Sequence, residues 1–272
     1  MNMEIKGLVK PALTKWCLHD ANPQKWSLEK ICQVAKDLGV DALEVITPEE
    51  LPTLKKFGLS SALTTAHWFI KGMNNPLHWN ECLTGLRKAI DANAEFGFTN
   101  VITFWGFADT TAEGGSKVSL DEGIRNCIEG YKQIVGYAEK KKVVLCLEPL
   151  NSRDPADMKG HPGYQGDKIE YCMEVIKTVG SPSLKLLFDF YHVQIMNGDI
   201  IRRIGEVKDY IGHVQAAGNP GRNELDENQE INFRAILKAF ARNGYRGHVG
   251  LEFIPTRDPL ESLKQALLAF EA

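Results

Sequence analysis

Residues 143–150 read VVLCLEPL, 184–192 read LKLLFDFYH, 212–218 read GHVQAAG and 248–255 read HVGLEFIP. Each is a short apolar run that carries a polar side chain toward its end: Glu148, Asp189, Gln215 and Glu252. The apolar residues are nearly continuous rather than alternating, as expected of parallel strands covered on both faces. Amphipathic segments fill the gaps, and their periodicity predicts helices over 167–180, 199–210, 232–244 and 259–272. The first half of the chain keeps the same rhythm. Strands are expected at 12–18, 40–46, 60–68 and 100–106, and helices at 27–39, 47–58, 78–97 and 119–142. Ser27, Thr47-Pro48-Glu49-Glu50 and Ser119-Leu120-Asp121-Glu122 supply start signals, and Gly39 and Gly58 supply stops.

Eight strand–helix pairs in 272 residues average 34 residues per unit. No GxGxxG or GxxxxGK[ST] turn occurs, which counts against a doubly wound open sheet. The expected fold is α/β: one domain over residues 1–272, a single (β/α)8 TIM barrel with its active site at the C-terminal face of the strands. Two long connections, 107–118 and 151–166, follow strands and therefore fall on that face.

Composition removes several classes of function. A net charge of −3 with acids and bases interspersed counts against nucleic acid as a partner. No run reaches the roughly 18 apolar residues of a membrane span. Residues 1–10 lack the apolar centre of a signal peptide. The six cysteines (Cys17, Cys32, Cys82, Cys127, Cys146, Cys172) show no CxxC spacing and fit reduced core thiols in a cytoplasmic protein.

The polar residues of the last four strands follow one another at intervals of 41, 26 and 37 residues, close to one unit each. Adjacent strands thus bring Glu148, Asp189, Gln215 and Glu252 to one rim. Three carboxylates crowded there repel unless a cation neutralises them. All-oxygen donors suit Mg²⁺ or Mn²⁺, and they admit Co²⁺. Any one of these acids alone is explained by a neighbouring Arg or Lys or by a helix cap; four at unit spacing favour the ion. His192, three residues after Asp189, reads equally as a substrate hydrogen-bonder and as a partner that orients a carboxylate. His213 shares a strand face with Gln215 but lies one step deeper, which suits a supporting residue. His67-Trp68 closes the third strand and Trp16 lies in the first, placed either to wall a small pocket or to plug the barrel. Arg222, in the loop after strand seven, reads as a carboxylate clamp or as a surface arginine.

These strand ends resemble hydroxypyruvate isomerase-like members of the xylose isomerase-like barrels, a superfamily that includes ketose 3-epimerases. The matching text is Glu148-Pro149-Leu150-Asn151 followed by Asp154, then LLFDFYHVQIMNGD, IGHVQAAGNPGRNE, QEINF and GYRGHVGLEFIP. It runs from about residue 143 to 259; the first half is similar mainly in rhythm. The resemblance implies a metal-dependent aldose–ketose type isomerase. Glu148, Asp189, Gln215 and Glu252 would hold the ion, and Glu148 and Glu252 would also move protons. His192, Arg222 and Asp154 would hold the substrate, with His67 and Trp68 beside it, and Asn151 and His213 in support. Two departures stand out: many relatives carry histidine where Gln215 stands, and Ile254 replaces a lysine of the better-known hydroxypyruvate isomerases.

Such a site suits proton transfer next to a carbonyl, with a divalent ion stabilising the enediolate. The expected reaction interconverts hydroxypyruvate and 2-hydroxy-3-oxopropanoate. A ketose 3-epimerase uses the same groups on one carbon. A catalytically inactive sugar-binding barrel is the alternative from another class. The expected partner is a small hydroxy-keto acid or ketose, and a homo-oligomer is left open.

Overall fold

A computed structural model describes residues 7–271. The expectations for residues 1–6 and for a helix end at Ala272 lie outside the described residues. Eight strands, β1 (Lys10–Thr14), β2 (Ala42–Ile46), β3 (Ser60–Thr64), β4 (Asn100–Phe104), β5 (Val144–Glu148), β6 (Leu184–Asp189), β7 (Ile211–Ala216) and β8 (His248–Leu251), close into a barrel in sequence order. Every pairing is parallel, including β1 with β8. The eight-unit barrel read from the sequence is therefore the observed fold.

Local chemistry sets the helices. Leu28–Asp37 is capped by Ser27, whose side chain accepts from the Lys30 amide. Leu120–Lys132 opens with a reciprocal Ser119–Glu122 capping box. Trp79–Phe96 stops at Gly97 in the left-handed region, where glycine carries no Cβ penalty. Helices pack their apolar faces on the outside of the barrel, and all six cysteines are buried free thiols. No helix among the described residues is long and apolar enough to cross a membrane.

Five expected boundaries are corrected. The third strand, expected over 60–68, ends at Thr64 and leaves His67 and Trp68 in the loop beyond it. The run at 12–18 is strand only to Thr14; Lys15–His19 forms a helical turn that carries Trp16 onto the rim. The run at 184–193 is strand only to Asp189, whose side chain accepts the Tyr191 amide proton and starts the helix Phe190–Met196. Apolar residues continue across both junctions, so hydropathy alone does not mark them. β8 ends at Leu251, which leaves Glu252 one residue past the strand. The helix expected over 119–142 divides into Leu120–Lys132 and Val135–Lys141, although no proline stands at the break.

Candidate active site

The carboxyl ends of β5 to β8 converge on a buried polar centre. Asp189 and Gln215 face each other in register across β6 and β7. Glu148 ends β5, and Glu252 follows β8 with its amide donating to Ala216 of β7. All four side chains are buried. Glu148 and Asp189 each offer an oxygen and His192 a ring nitrogen, all within 4.8 Å of one another.

The hydrogen-bond inventory distinguishes the members. Glu252 is held on both oxygens: Oε1 accepts from Trp16 Nε1 at 2.8 Å and Oε2 from Arg222 Nη2 at 2.5 Å. By contrast Glu148 Oε1, Asp189 Oδ2 and Gln215 Oε1 are buried acceptors with no partner among the described residues. An acceptor buried without a partner is destabilising by roughly 1–3 kcal/mol, and more when charged. Three of them on adjacent strands are the donor set a hard divalent cation takes. Each Glu252 oxygen keeps a further lone pair, so its present partners do not bar it from joining.

His192 belongs to a different role. Its Nδ1 accepts from the Asn151 backbone amide at 3.1 Å and from Asn151 Nδ2 at 2.7 Å. A nitrogen that accepts a backbone N–H carries no proton, so the neutral ring bears its hydrogen on Nε2. Burial, with the nearby Arg222 charge and His161, holds the ring well below its ordinary pKa and so neutral. His192 Nε2, 3.6 Å from Asp189 Oδ2, therefore presents a donor to the centre and not a metal-binding lone pair. Asn151 thus sets the histidine tautomer.

Electrostatics follow from burial. Glu148 is driven well above the usual carboxylate range by burial and by its neighbours Glu252 and Asp189. Asp189 is pushed up to about 7 by burial, although the Arg222 charge opposes the shift. Arg222 is buried, not on the surface. It lies over the rings of Trp16 and Tyr191, with Nη1 donating to Met158 O at 2.7 Å and Nη2 3.8 Å from Asp189 Oδ2. Two of its nitrogens are committed inside the protein, so it offers no open bidentate fork.

The polar floor opens into a narrow chamber walled by Trp16, Val45, Phe69, Ile102, Phe104, Leu150, Met158 and His161. Trp68 also lines it and is 56% exposed at the mouth. His67 lines the adjoining cleft, but its Nε2 meets Thr103 Oγ1 at 2.9 Å and its Nδ1 faces the Trp68 and Lys71 carbonyls. Asp154 does not line the chamber; its Oδ1 accepts from the Ala156 amide and shapes the loop. His213 sits one strand step beneath Gln215 on β7.

Two residues escaped the sequence reading. His161 reaches the chamber from the long 151–166 connection and packs tilted against Phe69, ring centroids 4.4 Å apart. Burial and the Arg222 charge lower its pKa to about 3. A loop histidine has no periodicity to betray it. Glu44, in the middle of β2, is fully buried; it accepts from Thr14 Oγ1 (2.5 Å) and Gln215 Nε2 (2.9 Å), and its Oε2 lies 2.5 Å from His213 Nε2. A lone acid inside the apolar run ALEVI was the available signal.

Residues 32–272 match the family described as xylose isomerase-like TIM barrel. The chain belongs to that family. It is 31% identical over 128 residues to hydroxypyruvate isomerase of Escherichia coli, covering 47% of each chain. It is 35% identical over 118 residues to 2-oxo-tetronate isomerase of Cupriavidus necator, covering 43% of each. In these matches the chain spans about half the length of the curated relatives. Among solved structures, an AP endonuclease of family 2 from Brucella melitensis superposes with a TM-score of 0.82 over 97% of this chain and 100% of that one. At 20% identity this likeness shows the fold alone.

Proposed function

We propose that this barrel is a divalent-metal-dependent isomerase acting on a short hydroxy-keto acid, converting hydroxypyruvate to 2-hydroxy-3-oxopropanoate and back. The observation that carries the reading is the set of three partnerless buried oxygens on Glu148, Asp189 and Gln215; Glu252 lines the same chamber as Glu148. Those four would hold the ion, for which Mg²⁺ or Mn²⁺ is the matching class. The names of the E. coli and C. necator relatives support the reaction class.

When bound, the ion supplies Lewis acidity toward the substrate carbonyl and its neighbouring hydroxyl. The side chains do the rest. Burial makes Glu148 a stronger base than a solvated carboxylate, and its Oε1 is uncommitted. In this reading Glu148 removes the proton from the hydroxyl-bearing carbon and returns it to the adjacent one. Glu252, restrained by Trp16 and Arg222, lies three strands away around the ring and meets the substrate from a different side. It relays the hydroxyl proton toward the former carbonyl oxygen. The His192 Nε2–H donates to the oxygen that gains charge, and the aromatic walls exclude water.

One observation favours a second reading. Among the described residues lining the chamber Arg222 is the only cation, and Glu252 and Met158 occupy two of its nitrogens. A neutral ketose needs no carboxylate anchor. In a ketose 3-epimerase Glu148 and Glu252 would remove and return the proton at one carbon. Incubation in deuterated water with Mn²⁺ or Mg²⁺, followed by NMR, tests both. Deuterium in hydroxypyruvate with a growing aldehyde product supports the first reading, and exchange at carbon 3 of a ketose supports the second. Exchange in neither would leave the inactive sugar-binding barrel.

A further inference from the structure

A glutamine that holds a cation through its oxygen must have its amide turned the right way. Oxygen and nitrogen differ little in size, so the surroundings choose. At Gln215 the choice is made from below. Its Nε2 donates to Glu44 Oε1 at 2.9 Å, and Oε1 is the atom left without a partner. Glu44 Oε1 also accepts from Thr14 Oγ1 at 2.5 Å, so the atom that Gln215 meets is an acceptor. His213 Nε2 lies 2.5 Å from Glu44 Oε2, so contacts from three residues fix both Glu44 oxygens. A flipped Gln215 would set its oxygen against Glu44 Oε1 and leave an NH₂ where Oε1 now stands, on the strand face it shares with Asp189.

Two further observations show that the fold is shaped around this carboxylate. A Cβ at Gly250 of β8 would lie 2.0–2.1 Å from three atoms of the Glu44 carboxylate group, so β8 leaves space for it at the cost of a side chain. On β2 the register shifts on both sides of Glu44, and Val45 is held at φ 55°. A β-branched residue in the left-handed region is strained, and it persists only where its surroundings demand it.

We infer that Glu44 is a positioning residue for metal binding: it orients the Gln215 amide so that Oε1 faces the cation and Nε2 faces away. The inference rests on the proposal that Gln215 is a ligand. It concerns a residue on the opposite half of the barrel from all four ligands, and one that does not line the chamber.

The test is a reciprocal exchange read by Mn²⁺ affinity, from the free-ion electron paramagnetic resonance signal, without any turnover assay. Glu44→Gln replaces the carboxylate by a group that can present either end. Its expected effect is a loss of about 10–100-fold in Mn²⁺ affinity, the range for residues that orient metal ligands. Gln215→Glu alone sets two carboxylates face to face and is expected to weaken binding or folding. The double variant Glu44→Gln/Gln215→Glu keeps the net charge and reverses the polarity of the pair. The amide introduced at position 44 donates to the carboxylate introduced at position 215, and affinity is expected to return to within a few-fold of the parent. Recovery in the double variant is an outcome that space-filling alone does not produce. Parent-like affinity in Glu44→Gln overturns the inference, as does a double variant no better than the weaker single. A parent protein that binds no Mn²⁺ removes the metal reading instead. The orientation is then judged on the metal-free parent by NMR, where slow exchange of the Gln215 side-chain NH₂ supports it and solvent-like exchange overturns it.

Discussion

The two halves of the barrel do different things with the same architecture. β5 to β8 each deliver one oxygen ligand candidate at or just past a strand end: Glu148, Asp189, Gln215 and Glu252. β1 to β4 deliver none. They place Thr14 and Glu44 beneath the centre, and their rim and adjoining loops place Trp16, Val45, Phe69 and Phe104 around it. The contrast teaches that charge and its control come from opposite sides of the ring. In the proposed reading the second half carries the groups that would meet the substrate and ion. The first half supplies Glu44, whose carboxylate holds the Gln215 amide, and most of the aromatic wall.

Removing the charge-bearing side should produce the largest effect. Glu148→Gln is expected to lower kcat by about 10²–10⁴-fold, the range for a positioned general base. The metal-free variant should be at least as stable as the parent, because a buried carboxylate without a partner has been replaced by a neutral group. Steady-state rates and thermal unfolding measure the two, and near-parent kcat would move the base elsewhere.

Next in size is the response to the ion itself. Saturation at about 100 times Kd adds roughly 2.7 kcal/mol, or about 5–10 °C in Tm for a chain of this size. The pH dependence has a definite sign. Glu148 and Asp189 have folded pKa values raised by burial, so their contribution is favourable at low pH and is lost as pH rises through the folded values. His161 and His192 are lowered and oppose this only below about pH 6.5. Between about pH 6.5 and 8 the EDTA-treated protein should therefore lose stability with rising pH, and the gain on adding Mn²⁺ should grow. A gain that shrinks over this window would speak against carboxylate ligation.

These expectations rest unevenly on what the sequence reveals. Glu148 and Asp189 were legible because each closes an apolar run, where hydropathy and function disagree in plain view. Glu44 was harder, since one acid within five residues of β2 shows no spacing to any partner. Its three partners come from β1 and β7, and only the closure of the ring brings them together. Trp16 was legible as an aromatic near the site but not as a donor to Glu252, a contact spanning 236 residues of chain. Arg222 was read as a clamp or as a solvated side chain; its ion pair with Glu252 is a tertiary fact that no local pattern records. The strand ends at Thr14 and Asp189 were overrun because helix and strand there share one apolar alphabet.

Smaller effects are expected from the wall. Trp16→Phe removes the 2.8 Å donor to Glu252 while keeping an aromatic ring. The loss of one charge-assisted hydrogen bond, about 1.5 kcal/mol, corresponds to roughly a 10-fold fall in kcat/KM. Trp68→Ala, at the exposed mouth, should raise KM by a few-fold and leave kcat unchanged, since it removes contact area and no polar group at the centre. A Trp68 variant that lost kcat instead would place the mouth within the chemistry and blur the division between the halves.

The most direct measurement is a crystal structure grown with Mn²⁺ and phased for anomalous signal. One peak is expected inside the barrel mouth, coordinated by oxygens of Glu148, Asp189, Gln215 and Glu252, with His192 Nε2 left as a donor beside it. No peak there, or an ion that lacks both Glu148 and Asp189, would contradict the account.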